Sequence, residues 1–210
     1  MIVMSDLKKK IKRVVVKSRI LSPLYNVYLK YVLWKRCTIT IKNYGQNNIT
    51  DIPIIYSNNF IVTFRGDNNF VKIGKGCNFK NTNSIYVQGD DNVVVIGDNV
   101  TFDSNVLIVV GEGTKVNIGS DCIFADRVHI RTTDQHTIYD ENRKRINPAK
   151  DVYIGNRVWL GKDAIIMKGV KVGDGAIIGM DSMVTKNVPE RCIAAGKPAK
   201  VIRTNIYWNE

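Results

Sequence analysis

Apolar residues recur every six positions along most of the chain. Ile73, Phe79 and Ile85 are six apart, as are Ile96, Phe102 and Ile108, and Ile118, Phe124 and Ile130. Ile154, Leu160, Ile166, Val172, Ile178 and Val184 then continue the spacing without a slip. Glycine follows Ile73, Ile96, Ile118, Ile154, Leu160, Val172 and Ile178. Four residues after a lead residue stands a compact one, such as Cys122, Val128, Val158, Ala164, Ala176 or Ser182. A helix of about 3.6 residues per turn cannot hold six-residue spacing on one face. A plain two-residue strand alternation does not explain it either. A fixed hexad predicts a β-helix. Each hexad makes one short strand and a turn. The branched lead residue enters a narrow core, the compact residue sits at the corner, and glycine tolerates the corner's dihedrals. Stacked coils bury that core only against one another.

The spacing breaks between Ile85 and Ile96, between Ile108 and Ile118, and most widely between Ile130 and Ile154. The last break predicts a polar loop over 131–153, and a long loop on a rigid scaffold is where function tends to sit. Residues 37–70 read as irregular strands leading into the helix, with turns at Asn47-Asn48 and Gly66-Asp67-Asn68-Asn69. Residues 8–36 hold ten Lys and Arg and no acid, and Pro23 divides them into two short helices. Two roles stay open for this segment: a helix packed on the main domain with a solvated basic face, or a peripheral contact to an anionic membrane or acidic polymer. The expected fold is all-β dominated. It comprises a basic helical segment over 1–36, irregular strands over 37–70, the parallel β-helix over 71–190 and a C-terminal segment over 191–210.

Composition narrows the class. At 44% apolar and 24% charged, the 210 residues form an ordinary globular chain. The formal charge of +12 admits nucleic acid, an anionic membrane face or an acidic substrate as partner. No nucleic-acid motif accompanies the charge, so no nucleic-acid partner is expected. Cys37, Cys77, Cys122 and Cys192 are too widely spaced for a zinc site or disulfide framework. They read as reduced thiols of a cytoplasmic protein. No apolar run reaches the roughly 18–20 residues of a spanning helix, and no secretory signal pattern appears. A cytoplasmic location is expected, with the inner membrane face as the place for any peripheral contact.

Residues 154–161 (IGNRVWLG), 169–173 (GVKVG), 184–189 (VTKNVP) and 194–203 (AAGKPAKVIR) together resemble the hexapeptide-repeat acetyltransferase family, over roughly residues 70–203. Residues 132–140 (TTDQHTIYD) resemble the catalytic-histidine segment of its sugar O-acetyltransferases, including those of bacterial polysaccharides and sialic acid. The resemblance implies a left-handed coil, a homotrimer with active sites between subunits, and acetyl-CoA as donor without a metal.

Acetylating an alcohol needs a base for the hydroxyl proton and donors for the tetrahedral oxyanion. Of two histidines, His129 precedes a lead residue and should point outward from a strand, whereas His136 lies in the long loop and is the candidate base. Asp134 or Asp140 could orient its ring. By resemblance, Trp159 lines the acyl site, and Asn105 falls where relatives place an acceptor-binding Asn. Arg131 and Asp134, in the loop, are further acceptor candidates. Gly161, Thr185, Lys186, Lys200 and Arg203 match the cofactor groove, the three cations meeting CoA phosphates. Lys162 and Met180 depart from the family's small residues.

The favoured function is acetyl-CoA-dependent O-acetylation of a surface polysaccharide, capsule or lipopolysaccharide. A free saccharide or an antibiotic hydroxyl is the alternative acceptor. A non-catalytic β-helix scaffold is the alternative class. A zinc enzyme of related fold needs three histidines per metal, and there are two.

Overall fold

The computed structural model describes residues 38–53 and 55–209. The expected helical segment of 1–36, and the membrane contact assigned to 8–36, lie outside them. The described residues contain strands and turns and no helix.

Three sheets wrap one core. Sheet A has seven strands, all parallel, and runs from Ile39–Asn43 through Phe60–Arg65, Asn83–Gln88, Leu107–Gly111, His129–Arg131 and Ile165–Ile166 to Met183–Val184. Sheet B has six strands. Sheet C has eight, the last of which, Ala199–Arg203, turns back antiparallel to Ile193–Gly196. The chain visits A, B and C in turn, so each circuit is one coil and each strand pairs with its equivalent a coil away. Backbone amides of one coil are thereby satisfied by carbonyls of the next, as in Trp159 N–H to Ala176 O at 3.0 Å.

The lead residues all enter the core. Ile73, Ile96, Ile118, Ile154 and Val172 line it from sheet B, and Phe79, Phe102, Phe124, Leu160 and Ile178 from sheet C. Phe102 stacks on Phe79 at 4.4 Å and on Phe124 at 4.9 Å between ring centres. Cys77, Cys122 and Cys192 fill compact positions as buried thiols. Burial pushes the Cys122 thiol up to about 12, which makes it an inert packing group.

Among the described residues the coils already run from Ile39, well before residue 71. Residues 39–65, expected as irregular, pair in register with later strands: Ile39 with Phe60, and Phe60 with Asn83. Their hexads are hidden because the corner between sheets A and B carries extra residues. Asp67 and Asp90, which occupy equivalent corners there, are 23 residues apart, whereas Asn156 and Asp174 in the later coils are 18 apart. The breaks in the six-residue spacing all fall at this corner. A buried polar ladder fills it: Asn48 Oδ1 accepts from the Asn69 amide at 2.9 Å, Asn69 Oδ1 from the Asn92 amide at 2.9 Å, and Asn92 Oδ1 from the Thr114 amide at 3.1 Å. Each such bond satisfies a donor that the wider turn withdraws from water.

The long insertion occupies the same corner in the fifth coil. Its ends differ slightly from the expected 131–153, because Arg131 closes one strand and Val152 and Tyr153 open the next.

Candidate active site

The insertion is a braced hairpin. Tyr139 bridges Arg145, and Ile146 N–H donates to Ile138 O at 2.9 Å. Asp140 Oδ1 accepts from the Asn142 and Lys144 amides at 2.9 and 2.8 Å, which makes Asp140 the residue that closes the turn. At the loop's foot, Asn147 is only 9% exposed. Its amide donates to Asp134 Oδ2 at 2.9 Å and to the His136 carbonyl at 2.8 Å, and its oxygen accepts from the Ile138 amide at 2.6 Å. Lys168, one coil onward, donates to Asp134 at 2.5 Å. The Lys168 hydrogen bond, with help from Asn147, holds the Asp134 carboxyl below its ordinary value. Glu112 adds a second brace, accepting from Thr133 Oγ1 at 2.6 Å and pairing with Arg145 at 2.6 Å. His136 is thus fixed by its backbone while its ring is exposed.

Neither flanking carboxylate bonds the His136 ring within the described residues: Asp134 is engaged by Lys168 and Asn147, and Asp140 by the turn. The other histidine, His129, lies on the outer face of sheet A beside Arg131 and Gln135. Burial, reinforced by the Arg131 charge, pushes its pKa down and favours the neutral ring.

Trp159 lies on the outer face of sheet C, 42% exposed, with the Trp208 ring 6.1 Å away. Trp208 is anchored in turn: its Nε1 donates to Arg157 O at 3.1 Å, and Arg157 donates back to Trp208 O at 3.2 Å. The His136 loop leaves the corner between sheets A and B, which in a three-sided coil is opposite sheet C. A single chain therefore does not bring His136 and Trp159 together.

Thr185 and Lys186 are exposed just beyond the strand Met183–Val184. That strand lies against Ala199–Arg203, which carries Lys200 and Arg203, both exposed. Three exposed cations and a hydroxyl thus belong to the last coil and its returning strand, residue types suited to phosphates. Gly161 has a packing reason of its own: a Cβ there would stand 2.7 Å from Met180 N and 2.8 Å from Ile178 O in the next coil. Asn105 is a corner residue with φ +61°, one of a column of left-handed positions that includes Arg127, Asp163 and Asp181. An amide side chain tolerates that conformation better than most.

Asn147, Lys168 and Trp208 escaped the sequence reading. Their partners are 9 to 51 residues distant in the chain: the fold of the loop joins those of Asn147, coil stacking that of Lys168, and the returning C-terminal tail that of Trp208.

Residues 151–186 match the family model described as bacterial transferase hexapeptide (six repeats). The polysialic acid O-acetyltransferase of Neisseria meningitidis is 35% identical over 193 residues, covering 81% of this chain and 85% of that protein. The polysialic acid O-acetyltransferase of Escherichia coli O1:K1 / APEC is 45% identical over 101 residues, 48% of this chain, and the match spans 33% of that protein. The crystal structure of the polySia specific acetyltransferase NeuO superposes with a TM-score of 0.62 at 34% identity, covering 82% of this chain and 89% of that one. The chain belongs to the hexapeptide-repeat acetyltransferase family, whose coil is a left-handed β-helix.

Proposed function

We propose that this chain transfers an acetyl group from acetyl-CoA to a sugar hydroxyl of an anionic bacterial surface polysaccharide. The observation that carries the reading is the braced loop that holds His136 by its backbone and leaves its ring free. The names of the relatives, polysialic acid O-acetyltransferases, support a polymeric acidic acceptor, and the charge of +12 suits one.

In this reading His136 removes the proton from the acceptor hydroxyl as its oxygen attacks the thioester carbonyl. The carbon–oxygen bond forms, the carbon–sulfur bond breaks, and the proton passes from His136 to the departing thiolate. Asn147, Asp134 and Lys168 keep the loop from drifting, and positional error is expensive in such a step. Asp134 then acts as a loop brace, and acceptor binding falls to groups such as Arg131, with Asn105 chiefly shaping its corner. Lys186, Lys200 and Arg203 bind the CoA phosphates beside Thr185, and Gly161 keeps the nearby wall flat. Trp159, on the far side of its own coil, completes the site of a neighbouring copy in a homotrimer. The enzyme works in the cytoplasm, with residues 8–36 meeting the inner membrane face.

The test is mass spectrometry of a purified acidic glycan incubated with acetyl-CoA and enzyme. The glycan should gain acetyl mass, and His136→Ala should slow that gain about 10²–10⁴-fold with an unchanged melting temperature. Full activity in His136→Ala would remove the base assignment. Acetylation of free saccharides alone would remove the polymeric acceptor.

A further inference from the structure

Sheet A presents a face unlike the other two. Its strands in the early coils are five to six residues long, as in Phe60–Arg65 and Asn83–Gln88, where sheet C has two-residue strands such as Thr101–Phe102. Outward residues therefore form two full columns. Lys42, Thr63, Tyr86, Val109 and Arg131 stand in register in one, with Ser84, Leu107 and His129 beside them in the other. Together they line a groove of about 440 Å³ that ends at Gln135, next to His136. With strands about 4.8 Å apart, the run from Lys42 to Arg131 is about 19 Å long.

The chemistry of the lining is selective. Among the described residues it contains Lys42 and Arg131 and no carboxylate. Tyr86, half-buried, offers a ring face, and Val109 forms a floor that is only 5% exposed although it points outward. Thr63 and Ser84 add hydroxyls. Two nitrogens in the wall, His129 Nε2 and Arg131 Nε, are buried with no hydrogen-bond partner among the described residues. Native structures rarely leave such groups unmet without a reason.

We propose that this groove binds the acceptor chain: an extended, carboxylate-bearing glycan lies along the coil axis, from the His136 loop at Arg131 down to Lys42. Aromatic and apolar surface takes the faces of the sugar rings, the hydroxyls take sugar oxygens, and the cations at either end take carboxylates. The inference rests on the acetyl-transfer reading for its acceptor. It adds where the polymer lies and why a long acceptor should be preferred to a short one.

The test separates binding from turnover. Sialic acid oligomers of graded length are titrated calorimetrically into the full-length enzyme without acetyl-CoA, and acetyl transfer to the same oligomers is measured separately. Wild-type affinity should rise with oligomer length until the groove is filled. Lys42→Glu and Tyr86→Ala should each weaken long-oligomer binding about tenfold or more and abolish the length dependence. Lys115→Glu, an equal charge change on exposed sheet B, controls for diffuse attraction. Equal losses in Lys42→Glu and Lys115→Glu overturn the groove, as does unchanged length dependence in Lys42→Glu and Tyr86→Ala at wild-type melting temperature. Length-dependent binding without any acetyl transfer would sink the proposed reaction and leave the groove standing.

Discussion

The early and late coils of this protein solve the same packing problem with different perimeters. In the early coils, equivalent corner residues such as Asp67 and Asp90 are 23 apart, and in the late ones, such as Asn156 and Asp174, 18 apart. The inward column of sheet C follows the change: Phe79, Phe102 and Phe124, then Leu160, Ile178 and Ala194. A longer perimeter encloses a wider interior, and only larger side chains fill it to the density a core requires. The extra perimeter sits at one corner, where the asparagine ladder absorbs its polar backbone. The same corner in the fifth coil holds the histidine loop. The corner that varies in length is thus also the one that holds His136, the proposed base, while the other two stay short.

The widest prediction tests the core difference. Phe102→Ala, in the middle of the ring stack, should cost about 3–5 kcal/mol of unfolding free energy, read from urea denaturation. A loss under about 1 kcal/mol would mean that the wide coils are not packed by their rings. The converse substitution probes the narrow coils. Leu160→Phe places a ring where the perimeter is short and should destabilise by about 1–3 kcal/mol through overpacking. If it stabilises, perimeter does not set the core's width.

A smaller effect is expected at the variable corner under acid. The Lys168 hydrogen bond depresses the Asp134 carboxyl from its ordinary 3.8. Its contribution is therefore complete above that value and is lost as pH falls through the lower folded-state value. Hydrogen exchange should find the Ile138 amide, which donates to Asn147, protected at pH 6 and opening only below about pH 4. Opening near pH 6 would point to a histidine and not to this brace. Lys168→Met should lower that protection at pH 6 while leaving global stability nearly unchanged, since the pair is partly exposed.

Legibility followed the perimeter too. From Ile154 to Val184 each side of the coil is one hexad, so the repeat is visible in the sequence. Before Ile73 the widened corner interrupts every coil, and residues 39–65 read as irregular although they pair as regularly as any. His136 stood out as the candidate base because its loop interrupts the hexads and resembles a family motif. Asn147 and Lys168, which hold that loop, were not, because an Asn before Pro148 and a Lys in a hexad carry no sign of their partner. Trp159 stood out as a candidate by resemblance, but nothing marked the Trp208 that packs near it, which comes from the C-terminal tail.

The sequence by itself determined the coil: which residues face inward, where the chain corners, and where a loop leaves it. Those properties depend on spacing, because a six-residue strand-and-turn unit repeats its inward position wherever it occurs. Only the tertiary structure decided that the interruptions share one corner, that Asp134 braces the loop through Lys168 and Asn147, and that His136 and Trp159 lie on opposite sides of one coil. Stacking brings residues a full coil or more apart in sequence within hydrogen-bonding distance, and the number of residues in each coil sets which ones meet.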